Sequence, residues 1–577
     1  MTKLTRRDLL GASGAVIGLS ACQPVPASQD LGPYHLSDAT GHPSYQGTVS
    51  FQHGVASGDP LHDKVILWTR VTPLDTASDV PVPVTVTVFS DPEMTRPVFR
   101  TDVLATAAGD YTVKVDAAGL EPGTPYNYRF SVQTSAGPVH SPTGRTRTTA
   151  ATGARPVRLA VVSCSHWAFG FFHAYRQISQ TPDLDAVVHL GDYLYEYGVD
   201  GYGGDVGGEI GRNHEPPHEI TSLQDYRERH AQYKTDPDLQ AAHAAAPWLC
   251  TWDDHESAND AYRTGAENHN PEAGEGNWTD RKQHALQAYL EWMPVRNPGR
   301  TGAKTGIYRD FQFGDVASVL CLETRLTGRS EEISWSAELG DVSPEGVPLK
   351  AMATMVRVND PERTMLGQHQ EAWVADQLTR SVESGRSWQV LANQVIMARV
   401  NAPDFTRTLS ESQKSAQQLD LIQGLIGFSQ LGLPWNLDAW DGFPAARDRL
   451  YDSAAKAGAR LVTLTGDSHT AWANTLFDNA GQRRGVEFGT TSVTSPGFGT
   501  YMTGVNDLGD QFSAANKEVD WHAPNGNGWM LVTLSQSDVR ADYFEVSDVR
   551  QTDFTSARVK SFSAARTGSG LSPLGPT

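Results

Sequence analysis

Six stretches of this chain are almost continuously apolar, rich in Val, Leu and Ile, and end in polar residues. Such runs are typical of strands buried on both faces of a sheet, whereas a half-exposed strand alternates apolar and polar residues. Helix-compatible segments lie between several of them, which predicts an α/β or α+β core. The strand-like stretches are 157–165, 185–195, 246–256, 315–325, 387–397 and 459–470, and helices are expected at 218–246, 279–293, 366–385 and 444–457.

At 577 residues the chain exceeds what one ordinary hydrophobic core supports, and its sequence pattern changes along its length. Short alternating strands precede the buried ones, which predicts a small β-sandwich resembling an immunoglobulin or fibronectin type III domain. We therefore expect a signal segment, a linker, the β-sandwich, a second linker, a large α/β domain and a polar tail, at 1–22, 23–47, 48–149, 150–156, 157–545 and 546–577, respectively.

The N-terminus combines basic residues, a short apolar run and small residues, which is the pattern of an export signal. Arg6 and Arg7 lie in a stretch that resembles a twin-arginine signal, whose export machinery moves cargo that is already folded. The stretch Leu19–Cys22 resembles a bacterial lipobox with Cys22 as the lipid-carrying residue. A plain signal peptide with an incidental cysteine is the alternative. The sequence thus predicts a periplasmic or membrane-anchored protein, or a secreted one.

The charge and cysteine content exclude several classes of protein. Lys and Arg total 47 against 67 Asp and Glu, a net charge of −20, so nucleic-acid binding through a basic face is not expected. An acidic surface repels anions, and a phosphate site here would need local positive charge such as metal ions. With only four cysteines the chain is not a disulfide scaffold. Cys250 and Cys321 lie in apolar runs, where Cys behaves as a small core residue.

Two strand ends carry residues that bind soft or trivalent metals. If the stretch containing Cys164 is extended, Cys164 and His166 point to one face. A buried structural Cys beside a surface His is the alternative. Asp192 follows a glycine, and Tyr195 can return to the same centre if the loop curls into a helical turn. Tyr195 would bind a metal as a phenolate, which forms at neutral pH only beside a strong Lewis acid. The alternative is that Tyr195 takes part in ordinary aromatic packing.

Two further strand ends offer oxygen ligands. Asp253, Asp254, His255 and Glu256 are adjacent after an apolar run, and burying four ionisable residues without partners is costly. They form either a surface loop or a metal site with an acid/base histidine. Asn393 interrupts an otherwise hydrophobic strand, either as a satisfied core amide or as an oxygen ligand for a hard cation such as calcium.

The last strand end raises three alternatives: a serine nucleophile with its acid and base, half of a metal site, or a polar strand mouth. If residues 467–469 are extended, Asp467 and His469 share a face and Ser468 points away. The stretch also lacks the G-x-S-x-G elbow of serine hydrolases. The pattern therefore favours two metal ligands over a serine nucleophile.

In this order, the strand-end residues resemble the calcineurin-like metallophosphoesterases, and more closely the PhoD-like alkaline phosphatases, relatives of the purple acid phosphatases. The stretches 53–73, 322–325 and 486–497 also resemble that family, and the resemblance covers about residues 48–545. It implies a four-layer α/β sandwich carrying the N-terminal β-sandwich.

The resemblance also implies a site that holds Fe³⁺ and Ca²⁺. Iron would be bound by Cys164, Asp192, Tyr195 and His469. Asp192 would bridge to calcium, with Asp254, Asn393 and Asp467 around it and Asp253 and Asn259 as further candidate ligands. His255 would stand near the leaving group, and Arg325 is a candidate phosphate ligand, although Glu323 stands where relatives often show Asp.

The implied reaction is hydrolysis of a small phosphate ester by a hydroxide held on the two metals and attacking phosphorus. A phosphodiesterase or phospholipase D-like hydrolase is the alternative, because the same site can cleave diesters. An inactive surface lipoprotein that binds through its β-sandwich is the alternative from another class. We expect a monomer whose only membrane contact is a lipid anchor.

Overall fold

The computed structural model describes residues 44–74, 79–298, 306–343, 345–404, 429–502, 507–568 and 570–577. The expected signal segment at 1–22, its Cys22 and residues 23–43 of the first linker lie outside the described residues. Among the residues described, no helix combines the length and apolar character needed to cross a bilayer.

The first half of the chain contains thirteen strands and five α-helices within the described ranges. The strands are β1 (Val49–Ser50), β2 (Val55–Gly58), β3 (Lys64–Arg70), β4 (Thr72–Pro73), β5 (Val82–Phe89), β6 (Pro97–Ala105), β7 (Thr112–Ala118), β8 (Pro125–Thr134), β9 (Gly137–His140), β10 (Gly144–Arg147), β11 (Val157–Val162), β12 (Ala186–His189) and β13 (Pro247–Cys250). The helices are α1 (His173–Gln180), α2 (Gly204–Ile210), α3 (Leu223–Tyr233), α4 (Pro237–Ala245) and α5 (Trp278–Trp292).

The second half continues the pattern. Its strands are β14 (Arg309–Phe313), β15 (Ala317–Cys321), β16 (Trp388–Ala392), β17 (Leu461–Thr465), β18 (Ala471–Phe477), β19 (Arg483–Gly489), β20 (Val519–Ala523), β21 (Asn527–Leu534), β22 (Asp538–Val546), β23 (Ser556–Thr567), β24 (Gly570–Leu571) and β25 (Gly575–Pro576). Its helices are α6 (Trp335–Leu339), α7 (Val347–Val358), α8 (Gly367–Glu383), α9 (Pro444–Ala457) and α10 (Leu508–Ala515).

Two large sheets dominate the fold. The first has eleven strands, in the order β24-β23-β22-β21-β11-β12-β13-β2-β3-β7 with β25 on β23. The second has seven, in the order β14-β15-β16-β17-β19-β18-β20. The central pairs β11–β12, β12–β13, β15–β16 and β16–β17 are parallel. Their carboxyl ends therefore meet at one edge of each sheet, as the continuous apolar runs predict.

Three hydrophobic cores lie around these sheets. One fills the space between them and contains side chains such as Val161 from β11 and Val390 from β16. A second covers the opposite face of the eleven-stranded sheet with α1, α3, α4 and α5. A third covers the opposite face of the seven-stranded sheet with α8, α9 and α10. Both faces of the central strands are thus buried, which is why their sequences do not alternate.

The N-terminal region is a β-sandwich that shares strands with the large sheet. Its five-stranded sheet, β10-β8-β5-β6 with β9 on β8, packs against β2, β3 and β7 around a core that includes Val65, Leu67, Val86 and Phe130. However, β2 also pairs in parallel with β13. The β-sandwich expected at 48–149 is therefore continuous with the large domain, because main-chain hydrogen bonds make one of its sheets part of the eleven-stranded sheet.

The C-terminal residues differ from the expected polar tail at 546–577. Residues 556–567 form β23, which pairs antiparallel with β22, and β25 pairs with β23 in turn. Phe562 and Ala564 lie in the core between the two large sheets. A strand near the edge of a sheet needs few apolar side chains, because its main-chain hydrogen bonds hold it in place. The polar sequence therefore concealed a strand.

The expected helix at 218–246 is two helices. The first, α3, ends at Tyr233, and α4 begins at Pro237. Proline is favoured in the first turn of a helix and interrupts a preceding one. The Asp236 carboxylate accepts hydrogen bonds from the backbone N–H groups of Asp238 and Leu239 and so caps α4.

Gly58 provides the test of how the N-terminal sheet joins the large one. A Cβ at this position would lie 2.1 Å from the carbonyl oxygen of Pro294 and 2.8 Å from that of Trp248. We expect Gly58→Ala to lower the free energy of unfolding by about 1–3 kcal/mol, because backbone atoms must move apart. Gly208→Ala, whose Cβ would have only one neighbour at 4.0 Å, is the control. Equal stability of the two variants in chemical denaturation would contradict the close approach.

Candidate metal centre

The candidate ligands follow the parallel strands of both sheets. Cys164, Asp192 and Asp253 come after β11, β12 and β13, and Asn393 and Asp467 come after β16 and β17. The carboxyl ends of parallel strands form the edge at which ligands bind in open α/β sheets. The two sheets face each other, so polar residues that are far apart in sequence meet at this edge.

Asp192 lies at the middle of the first group. The Tyr195 hydroxyl donates to Asp192 Oδ2 at 3.0 Å and lies 3.2 Å from Nε2 of His469. Ligand atoms of Cys164, Asp192 and His469 all lie within 4.8 Å of one another. The Ser495 hydroxyl donates to the Tyr195 oxygen at 2.8 Å. A thiol, a carboxylate, a phenol and an imidazole thus converge on one point.

A second group of acids adjoins the first. Ligand atoms of Asp253, Asp254 and Asp467 lie within 4.8 Å of one another, and the same holds for Asp192, Asp254 and His255. Asp254 therefore belongs to both sets. Asp192 and Asp254 connect the thiol-containing group to the all-carboxylate group, so the residues offer two adjacent candidate positions for cations.

The backbone differs from the extended geometry expected at these strand ends. Cys164, Asp467 and His469 have φ of 61°, 59° and 57°, and Asp192 has 55°. Left-handed backbone is uncommon for residues other than glycine and collects at functional sites. The sharp turns, rather than strand alternation, therefore aim these side chains.

Ser468 is engaged by groups that do not act as a base. Its hydroxyl lies 3.2 Å from Oγ1 of Thr470 and accepts a hydrogen bond from the Trp472 indole at 3.1 Å. A serine nucleophile needs an adjacent base to take its proton, and neither a hydroxyl nor an indole N–H does so at neutral pH. These contacts therefore give no support to the serine-nucleophile alternative.

Gly191 allows the two acidic loops to approach. A Cβ there would lie 2.4 Å from Cβ of Asp253 and 2.5 Å from its nitrogen, and the φ of Gly191 is +106°. Any side chain would push the loop after β12 away from the loop after β13.

Several polar atoms of the centre are buried without a hydrogen-bond partner. They are Asp192 Oδ1, Asp253 Oδ2 and Asp254 Oδ1. Burial raises the pKa of Asp192, of the Cys164 thiol and of the Tyr195 phenol well above their usual values, and neighbouring acidic groups raise them further. Buried carboxylate oxygens that accept no hydrogen bond are costly, and a cation at the centre would remove that cost and favour the ionised ligands. The residues therefore fit bound metal ions.

His255 is held beside the centre by Glu196, an acid that no pattern in the sequence singled out. Its Nδ1 lies 2.7 Å from Oε2 of Glu196, and its ring packs on Tyr195 with centroids 4.1 Å apart. Burial lowers the pKa of His255, but Glu196, Asp254 and Asp192 outweigh this effect and raise it well above its usual value. These three acids therefore favour the imidazolium form of His255.

Glu256 joins the two acidic loops through their backbones. Its carboxylate accepts hydrogen bonds from the N–H groups of Asp192 at 3.1 Å, Tyr193 at 2.8 Å and Asp253 at 2.9 Å. The side chain is only 4% exposed, so water does not substitute for it. Its place in the run of four ionisable residues was the only signal in the sequence, and that run does not distinguish a ligand from a positioning residue.

Arg325 is surrounded by carboxylates. It donates to Asp253 at 2.5 Å, to Asp438 at 2.6 Å and to Asp467 at 2.9 Å, and is fully buried. Its donors therefore face protein acids, although the sequence suggested a phosphate ligand. Glu323, which stands where relatives often show Asp, accepts a hydrogen bond from the backbone N–H of Arg325 at 2.9 Å and so shapes this loop.

Three other candidate residues, Asn393, Asn259 and His166, contact protein groups outside the cluster of acids or pack on an aromatic ring. The amide oxygen of Asn393 accepts from the Trp440 indole at 3.2 Å, and its nitrogen donates to the Val395 carbonyl at 2.5 Å, which is the arrangement of a satisfied core amide. The Asn259 side chain donates to Glu267 at 3.2 Å. The ring of His166 packs on the Tyr195 ring with centroids 4.3 Å apart.

The Glu256 arrangement leads to a stability test. We expect Glu256→Ala to lower the free energy of unfolding by about 2–4 kcal/mol, because three buried N–H groups lose their acceptor. Glu267→Ala removes a carboxylate with one exposed amide partner and should change stability by less than about 0.5 kcal/mol. Urea unfolding of both variants measures the difference, and a Glu256→Ala value as small as that of the control would refute the role.

Comparison with known proteins identifies the family to which the chain is similar. The sequence model described as PhoD-like phosphatase matches residues 159–543, and the one described as its N-terminal domain matches residues 37–150. Alkaline phosphatase D of Bacillus subtilis (strain 168) is 34% identical over 553 residues, covering 93% of this chain and 84% of that protein.

A solved structure described as the structure of PhoD resembles the present fold with a TM-score of 0.71. The two sequences are 31% identical, and the alignment covers 92% of this chain and 93% of the other. The family matches extend over most of both the N-terminal region and the region that carries the centre. The chain therefore belongs to the PhoD-like phosphatase family.

Proposed function

We propose that this protein is an exported phosphatase that hydrolyses small phosphate esters with Fe³⁺ and Ca²⁺ at the centre. The observation that carries the proposal is the set of three buried carboxylate oxygens, on Asp192, Asp253 and Asp254, that accept no hydrogen bond. Family membership supports a phosphoesterase, and the donor types support the metals. The stack of helices, two sheets and helices around three cores supports the four-layer arrangement.

The first ion, iron, would be held by the mixed donor set. Thiolate and phenolate donors suit a strong Lewis acid, and they belong to the first group rather than the second. That group consists of Cys164, Asp192, Tyr195 and His469.

The second ion, calcium, prefers oxygen ligands, which the second group offers. Asp192, Asp254 and Asp467 would bind it, with Asp253 beside them. Asn393 and Asn259 would have to leave their present hydrogen-bond partners to join this set.

When bound, the two ions would offset the charge of the phosphate and lower the pKa of a coordinated water. The residues of the chain then have separable roles. Glu196 fixes the His255 ring through Nδ1, so Nε2 can donate to a phosphate or leaving oxygen. Glu256 holds the loops of Asp192 and Asp253 in register. Arg325 supports the acids rather than the substrate.

Removal of the metals and of Asp192 tests this function. Chelation should abolish phosphatase activity, and restoring iron and calcium should recover it. Asp192→Ala should lose both metals by elemental analysis and lower kcat/KM by about a thousandfold or more, because its carboxylate serves both positions. The exposed Asp200→Ala is the control and should retain both.

Full phosphatase activity of a metal-free preparation would contradict the proposal. The same loaded protein should be assayed on phenyl phosphate and diphenyl phosphate. Faster hydrolysis of the diester would favour the phosphodiesterase or phospholipase D-like alternative. Absence of bound metal and of activity on both would favour a surface binding protein.

We also propose export by the twin-arginine route and a lipid anchor at Cys22, supported by the N-terminal pattern of Arg6, Arg7 and the lipobox-like stretch. The protein would act as a periplasmic or membrane-anchored monomer without nucleic-acid binding.

The anchor and the export route are tested separately. Cys22→Ala should move the protein from the membrane fraction to the soluble fraction, because the lipid is lost. Arg6→Lys with Arg7→Lys should instead retain it in the cytoplasm. An unchanged distribution of Cys22→Ala on immunoblots would contradict the anchor.

A further inference from the structure

A cavity of about 110 Å³ lies beside the metal centre. Asp467 and Ser468 form part of its wall, so it adjoins the group of acids directly. The rest of the wall is largely apolar and aromatic, and its main side chains are Ile396, Trp435, Ala439, Trp472, Phe498 and Phe512. Nothing in the proposed mechanism uses this space.

The aromatic rings form a braced wall. Trp435 meets Phe498 edge-on with centroids 4.7 Å apart and Phe512 at 5.3 Å. Trp472 meets Phe512 in the same way at 5.8 Å, and His522 stacks on Trp472 at 3.6 Å. Edge-to-face packing stabilises such clusters and fixes the ring orientations. The wall of the cavity is therefore defined by aromatic rings that pack on one another.

The charges around the cavity exclude a phosphate group as its occupant. Among the described residues that line it, none is Lys or Arg. Its two acids already have cationic partners: Asp441 accepts from Arg447 at 2.7 Å, and Asp467 accepts from Arg325 at 2.9 Å. Burial lowers the pKa of His522 to about 3, so this ring is neutral. An uncharged group fits such a wall, and an anion does not.

The size of the cavity limits the occupant further. A cavity of roughly 150 Å³ lined by apolar side chains binds benzene. The present space of about 110 Å³ suits one aromatic ring or a short branched alkyl group.

We propose that this cavity, referred to here as the aromatic subsite, binds the organic group of the phosphate ester and selects esters of small aromatic or short alkyl alcohols. The inference rests on the proposed function, since it assigns the part of the substrate that does not meet the metals. Trp435, which is partly exposed, and Ala439 are then specificity-determining residues in the wall.

Two esters whose leaving alcohols are similarly acidic distinguish binding in the aromatic subsite from the reactivity of the ester itself. We expect the metal-loaded protein to hydrolyse benzyl phosphate with a kcat/KM about tenfold above that for 2-hydroxyethyl phosphate. Trp435→Ala should remove this preference by losing the ring contact, and Ala439→Leu should remove it by filling the space. In both variants the loss should fall mainly on benzyl phosphate, so that the ratio of the two kcat/KM values approaches one.

Trp373→Ala is the matched control, because Trp373 packs on Tyr308 at 5.0 Å and does not line the cavity. It should retain the preference. Equal rates of the unmodified protein on both esters, or a preference that survives in both subsite variants, would overturn the aromatic subsite. Metal content and melting temperature identify a variant that has failed to fold, in which case the unmodified protein and the other variant decide.

Calorimetric binding of benzylphosphonate and 2-hydroxyethylphosphonate distinguishes failure of the aromatic subsite from failure of the phosphatase function. Tighter binding of benzylphosphonate without hydrolysis of either ester would support the subsite and contradict the phosphatase function. Equal binding of both phosphonates with hydrolysis of both esters would support the phosphatase and contradict the subsite.

Discussion

The guanidinium of Arg325 donates hydrogen bonds to three carboxylates that come from different parts of the chain. Asp253 follows β13 of the eleven-stranded sheet, Asp467 follows β17 of the seven-stranded sheet, and Asp438 belongs to the segment before α9. A single fully buried cation therefore ties together the loop edges of both sheets. Without it these acids, of which Asp253 and Asp438 are buried, would repel one another more strongly. This contact therefore holds Asp253 and Asp467 near each other at the centre.

The proposed site has two parts, a cluster of charged residues and an apolar cavity. The chain is acidic overall, so attraction of a phosphate must be local, and the acids that would hold cations are concentrated where Asp192 and Asp254 meet. The neighbouring cavity, within the described residues, carries no cationic lining and presents rings such as Trp435 and Phe512. A phosphate ester has the same division, a charged phosphoryl group joined to an uncharged alcohol, and the two parts of the proposed site would match it.

Parts of this arrangement were predictable from the sequence and parts were not. Asp192 and Tyr195 share a short loop, so local spacing suggested their contact. The approach of Tyr195 to His469 joins residues 274 positions apart and depends on the two sheets facing each other. Glu256 accepts three backbone N–H groups, a role that leaves no trace in spacing. The strand β23 was missed because main-chain pairing, which any sequence can make, holds it in place.

The sequence by itself determined which strands are buried and which ligand types stand at their ends, because continuous apolar runs and polar strand termini are local properties of the chain. Only the tertiary structure decided how those ends meet. Left-handed turns at Cys164 and Asp467 aim the side chains where an extended strand would not. Arg325 directs its donors to acids, and an aromatic cavity forms beside Asp467 from segments far apart in sequence. These features arise from packing between distant segments, which no local pattern specifies.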